Sequence, residues 1–240
     1  MSGRRALHLV NLAGGPAELF LPPLRDRGFT LEDVNPNVEP LPESLAGYDA
    51  VLATGGTANT HETDRYPWLD PQVALLQEAL VRRIPVFGLC LGAQLLTKAA
   101  GGSVHEASEP EVGWRMVDAA PEASADPVLA AMPPRFAAFQ WHHYACRPPA
   151  GTPVLASNAV CLQAFRLGEV AWATQFHIEV TREILLDWQQ MGLEELASHG
   201  YDEARFVEEM DRNLPAHEEI GREMATRFAA IVDARAAAVA

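Results

Sequence analysis

Two short patterns bring together residues that could do chemistry. Cys90 sits in Gly88-Leu89-Cys90-Leu91-Gly92, directly after the apolar run Ile84-Pro85-Val86-Phe87 and before a stretch rich in helix formers. That order reads as a buried strand, a sharp turn and a helix. A cysteine at such a turn is lifted off the sheet, and a helix N-terminus favours a thiolate. Gly88 and Gly92 carry no Cβ, which lets the backbone bend sharply and the helix pack closely. The layout matches the nucleophile elbow of Gly-x-Ser-x-Gly hydrolases, with sulfur in place of oxygen. Taken alone, Cys90 would serve equally well as a small buried residue.

The second pattern is Gln175-Phe176-His177-Ile178-Glu179. In an extended chain residues i and i+2 point the same way, so His177 and Glu179 can touch while Phe176 and Ile178 pack on the other face. A carboxylate on one imidazole nitrogen fixes the tautomer and leaves the other nitrogen for a thiol. Cys90, His177 and Glu179 would then act as nucleophile, acid/base and orienter. A His-x-Glu pair is also at home in a core or on a surface, and all three residue types bind zinc. No close ligand pair such as His-x-x-x-His accompanies them, and no metal site is expected. In His142-His143, adjacent strand residues face opposite ways and do not form one ligand set.

The elements that must position these residues follow from the patterning. Ala6 to Asn11 reads as a first strand, followed by a short or broken helix around Pro22-Pro23 and a second strand over Thr30 to Val34. Tyr48 to Thr54 is a buried strand ended by Gly55-Gly56, which either make a turn or let a backbone N–H approach a ligand. Asp70-Pro71 predicts an N-cap and first helical residue of a helix reaching Arg82, with Val73, Leu76 and Leu80 on its buried face. This strand–helix alternation specifies an α/β fold, an open, mostly parallel sheet with helices on both faces. Ligands then collect at the carboxyl ends of the strands, where Gly55-Gly56 and Cys90 both lie. From Glu111 the pattern changes to short strands over 112–118, 136–141, 154–157, 161–167 and 170–176, with a hairpin at Leu167-Gly168-Glu169. From Thr181 the chain turns helical, and a last helix starting near Pro215 carries Ile220, Met224, Phe228 and Ile231 on one stripe. This gives a domain over 1–186 and a helical extension over 187–240 that docks on it or on another subunit, which leaves a homo-oligomer open.

Composition narrows the function. A chain of 240 residues with 48% hydrophobic and 21% charged residues has the balance of an ordinary soluble globular protein. A formal net charge of -14 opposes nucleic acid and anionic membranes as partners. Half of it lies in residues 181–240, which is what a solvated helix face looks like. Three scattered cysteines, Cys90, Cys146 and Cys161, imply reduced thiols and a cytoplasmic setting. The apolar start is too short and too interrupted for a signal peptide, and no run approaches a membrane span.

Gly88-Leu89-Cys90-Leu91-Gly92-Ala93-Gln94 and Gln175-Phe176-His177-Ile178-Glu179-Val180-Thr181 together resemble the signatures of class I glutamine amidotransferases, with flavodoxin-like folds. The likeness is strongest to stand-alone proteins similar to the amidotransferase domain of GMP synthase. Gly55-Gly56, Tyr66-Pro67-Trp68-Leu69, Glu111-Val112-Gly113-Trp114, Trp141-His142 and Gln163-Ala164-Phe165-Arg166 support it, and it spans Tyr48 to Glu183. The resemblance implies hydrolysis of glutamine to glutamate and ammonia through a γ-glutamyl thioester on Cys90. By the same resemblance, His177 is the acid/base, Glu179 its orienter, the N–H groups of Gly56 and Leu91 hold the oxyanion, and Gln94 with Gly55 helps bind glutamine. It implies no cofactor. The chain holds no synthetase segment, so delivery of ammonia would need a separate synthetase or acceptor-site subunit. Three departures from the common family pattern stand out: Ile178 and Thr57 each stand where proline is usual, and His143-Tyr144 stands where Gly-Asp is frequent. A γ-glutamyl hydrolase acting on other γ-linked amides would use the same triad, and an inactive binding or regulatory module would keep only the fold.

Overall fold

The computed structural model describes residues 4–239, so the outermost ends of the two expected segments, 1–3 and 240, lie outside the described residues. One nine-stranded sheet forms the centre. Its strands are β1 (Arg5–Leu9), β2 (Thr30–Val34), β3 (Ala50–Ala53), β4 (Val86–Leu89), β5 (Ser103–Ala119), β6 (Arg135–Arg147), β7 (Val154–Ser157), β8 (Leu162–Leu167) and β9 (Ala171–Thr174). The spatial order is β2-β1-β3-β4-β9-β8-β7-β5-β6. From β2 to β9 neighbours are parallel, and from β9 onward they are antiparallel. Crossovers between parallel strands put helices on both faces, which is why β1, β3, β4 and β9 are almost wholly buried. The expected open α/β architecture is therefore present, with an antiparallel wing in which β5 and β6 pair along most of their length.

Among the described residues six α-helices cover this sheet: α1 (Leu21–Arg25), α2 (Leu69–Arg82), α3 (Leu91–Ala99), α4 (Arg182–Met191), α5 (Leu193–Ser198) and α6 (Glu203–Val239). On one face α2 and α3 bury Leu69, Leu76, Leu95 and Leu96 against Leu7, Val51 and Val86. On the other, Phe20 and Leu24 join Met224, Phe228 and Val232 of α6 against Leu52, Phe87 and Trp172. Burial of one such side chain contributes roughly 1.5–3 kcal/mol.

Two helix readings are corrected. Asp70 lies inside the first turn of α2, after Trp68 at the N-cap, and the buried face is Gln72, Leu75, Leu76 and Ala79, with Val73 and Leu80 at its edges. The helix that the sequence starts at Pro215 begins twelve residues earlier and runs through it. Proline removes one helical hydrogen bond, and the buried Phe206, Met210 and Leu214 hold the preceding turns against Val112, Trp114 and Phe139. The expected boundary at 186 falls within α4. The acidic outer face of α6 is laced by i,i+4 pairs such as Arg205–Glu209 and Arg222–Glu218. No described helix is long and apolar enough to cross a membrane.

Candidate functional site

Cys90 is placed by backbone geometry. It joins β4 to α3 with φ 49° and ψ -106°, a region non-glycine residues rarely occupy and that costs on the order of 1–3 kcal/mol. Its N–H donates to the Thr174 carbonyl at 2.9 Å, and the Gly92 N–H donates to the Thr54 carbonyl at 3.1 Å, so three neighbouring strand ends fix the turn. A Cβ on Gly88 would stand 2.8 Å from the Gly92 carbonyl oxygen, and one on Gly92 would run into the Ala53 carbonyl. Only glycine fits at either position, as the turn requires.

Strand β9 ends at Thr174, two residues earlier than the sequence suggests, and an irregular segment carries the chain to Glu179. The i,i+2 geometry nevertheless holds. His177 Nδ1 and Glu179 Oε1 are 2.7 Å apart and both side chains are buried, while Phe176 and Ile178 enter the core on the opposite side. The His177 N–H donates to the Phe139 carbonyl, and buried His217 of α6 donates through Nε2 to the His177 carbonyl at 2.7 Å. Burial holds His217 below its ordinary range and so keeps it neutral. Gly221 allows α6 this approach, because a Cβ there would strike the Ile178 carbonyl.

Burial disfavours a charged His177 ring, but the Glu179 carboxylate and then the Cys90 sulfur outweigh it and raise the pKa to about 10. Of the other thiols, Cys146 is pushed up to about 12 by burial, and Cys161 is raised by burial and by Glu111. Neither is a thiolate at neutral pH.

Gly55 and Gly56 close over this pair. A Cβ on Gly55 would come 2.7 Å from His177 Cε1, and one on Gly56 would come 3.0 Å from Leu91 Cδ2. Asn11 anchors the loop by donating from its N–H to Thr54 Oγ1 at 3.0 Å and from Nδ2 to the Thr54 carbonyl at 2.9 Å. Leu91, the first residue of α3, has no helical acceptor four residues back for its N–H. Gln94 Nε2 donates to the Tyr144 carbonyl at 3.1 Å and faces Gln175 Oε1 at 3.4 Å. Thr57 is exposed at the rim.

All seven candidate residues thus surround one pocket of about 280 Å³. Gly55, Gly56, Cys90, Gln94 and His177 line it, Leu91 lies under the Gly56 loop, and Glu179 stands behind His177. The sequence did not disclose Gln175, whose Nε2 faces Cys90 Sγ at 3.7 Å, or the wall formed by Trp188, Met191, Gly192 and Glu195. Glu111, His142 and Cys161 bring donor atoms within 4.8 Å of one another. There Gln163 Nε2 reaches Glu111 Oε2 at 2.7 Å and Cys161 Sγ at 3.3 Å, closing a buried hydrogen-bonded network. His142 lies inside and the His143 side chain is half exposed, facing apart as strand alternation requires.

The profile of the family described as glutamine amidotransferase class-I matches residues 17–184. One of the subunits of the glutamine-hydrolysing GMP synthase of Sulfolobus acidocaldarius is 32% identical over 142 residues, covering 58% of this chain and 71% of that one. A Pseudomonas gamma-glutamyl-L-1-hydroxyisopropylamide hydrolase is 27% identical over 179 residues, covering 71% of this chain and 54% of the other. The crystal structure of a glutamine amidotransferase from Thermotoga maritima superposes with a TM-score of 0.83 at 26% identity, over 94% of this chain and 98% of that one.

Proposed function

The chain belongs to the class I glutamine amidotransferase family, and from that footing we propose that it is a thiol amide hydrolase using Cys90, His177 and Glu179 on the side-chain amide of glutamine. Cys90 Sγ attacks the amide carbon. The oxyanion meets the N–H groups of Gly56 and Leu91, and loss of one such donor typically costs about 10²–10³ in rate. His177 gives its proton to the nitrogen, the carbon–nitrogen bond breaks and ammonia leaves. Water then attacks the thioester carbon and passes a proton back to His177. The carbon–sulfur bond breaks, releasing glutamate and the free thiol. Glu179 holds the ring and stabilises its charged form throughout. Gly55 and Gln94 border the acyl part of the substrate, and Gln94 is itself set by the Tyr144 carbonyl and Gln175.

The observation that carries this reading is the convergence, in one pocket, of a strained cysteine elbow with a buried His–Glu pair. If glutamine is the substrate, ammonia passes to an acceptor on a separate polypeptide, in line with the Sulfolobus relative being named as one subunit of its synthase. A second reading, hydrolysis of substituted γ-glutamyl amides, is favoured by the wall beyond His177 and by the Pseudomonas relative's name. Ammonia and amine release from glutamine and a panel of γ-glutamyl amides, with Cys90→Ser as control, tests both. Turnover of glutamine alone selects the first, and turnover of substituted amides selects the second. Equal turnover by Cys90→Ser would remove the triad from the reaction.

A further inference from the structure

One side of the pocket is left unused by the chemistry just described. His177 delivers its proton to the departing nitrogen, so any group which that nitrogen carries must extend past the imidazole. The wall there begins with Trp188, whose ring meets His177 edge-on at 4.7 Å, and continues through Met191 to Glu195. These residues lie beyond residue 184, where the family match ends. Departing ammonia is too small to need such a wall.

Among the described residues lining the pocket there is no Lys or Arg, and Glu195 is the one carboxylate. Trp141 Nε1 donates to Glu195 Oε2 at 2.7 Å, which fixes the side chain without neutralising it. Oε1 is buried and faces His143 Nε2 at 2.8 Å without an aligned hydrogen bond, so the carboxylate meets the cleft through its charge and not through a free oxygen. Gly192 makes room for the Trp141 ring, because a Cβ there would overlap it. Trp141 and Trp188 stand near perpendicular at 6.5 Å, giving an aromatic cleft with a carboxylate at its edge. Aromatic rings beside a carboxylate attract a cation.

We infer, resting on the amide-hydrolase reading, that α4 and α5 form a leaving-group subsite. In it Glu195 selects γ-glutamyl amides whose amine carries a second, positively charged group. The hydrolysis is otherwise the one already written, with a diamine leaving in place of ammonia.

The test uses the full chain and four substrates: glutamine and the γ-glutamyl amides of butylamine, diaminobutane and aminobutanoate. The three amides share a length and differ in the charge at the far end. Wild type turns over the diaminobutane amide with kcat/KM roughly tenfold above the butyl amide, mainly through KM, and the aminobutanoate amide ranks last. Glu195→Gln brings the cationic-to-neutral ratio close to one, and Glu195→Lys moves the preference to the aminobutanoate amide. The wild-type ranking tests the subsite even where a variant fails to fold. Hydrolysis of glutamine or the butyl amide with no preference for the cation overturns the subsite alone, as does a ratio unchanged in Glu195→Gln. No hydrolysis of any of the four overturns the amide-hydrolase reading and the subsite with it.

Discussion

Replacing Gly55 by alanine places one methyl group where the site has no room for it. The added Cβ would stand 2.7 Å from His177 Cε1 and 3.4 Å from Cys90 Cβ. Carbon atoms pack at about 3.5–4.0 Å, so ~1 Å of separation is missing on the imidazole side. Gly55 is not in the left-handed region, so the substitution adds no backbone strain and the contact decides the outcome. The ring cannot swing aside freely, because Glu179 holds Nδ1, Trp188 packs against it and its backbone is tied to Phe139 and His217. A displacement of about 1 Å costs on the order of 10² in rate, or ~2.7 kcal/mol of barrier, and overpacking costs about 1–3 kcal/mol of stability. Steady-state amide hydrolysis by Gly55→Ala, with its melting curve beside wild type, checks both figures. A folded variant with kcat/KM within about threefold of wild type would show that His177 is not the group on which turnover depends.

Other perturbations probe the same geometry. Glu179→Gln keeps the shape but removes the charge and the tautomer control, so turnover falls by roughly 10³–10⁴ and the His177 ring titrates at lower pH. Nuclear magnetic resonance of the ring nitrogens measures the titration, and an unmoved midpoint contradicts the pairing. Because the folded pKa of His177 is raised from 6.5 to about 10, its protonated form stabilises the fold fully below pH 6.5, and that stabilisation is lost as pH rises through 10. The difference in urea midpoint between wild type and His177→Gln should shrink across that interval, and a constant difference would count against the ion pair. Cys90→Gly abolishes turnover and relieves the φ 49° conformation, raising stability by about 1 kcal/mol. A lower melting temperature in that variant would show that the elbow holds no strain.

The parts of this molecule legible from sequence are those where local sterics leave little choice. Gly88 and Gly92 announce the elbow because any Cβ there would meet backbone. His177 and Glu179 are two residues apart, so their contact needs only a locally extended chain. Pro215 misleads because proline reads as a helix start, whereas the buried residues before it extend α6 through it. Gln175 and His217 gain their roles from tertiary contacts: one faces Cys90 across 85 positions, the other reaches His177 across 40. Trp188, Met191 and Glu195 read as ordinary positions on an acidic amphipathic tail, and only the fold turns α4 and α5 toward the pocket.

The proposed hydrolysis passes through a γ-glutamyl thioester on Cys90, which intact-protein mass spectrometry of acid-quenched turnover would detect. With glutamine or a γ-glutamyl amide in excess, wild type should carry the added mass of one γ-glutamyl group. Peptide mapping should place it on Cys90, and hydroxylamine should remove it. Turnover that proceeds normally while the label lies on another residue, or persists in Cys90→Ala, would remove Cys90 from the reaction as its nucleophile.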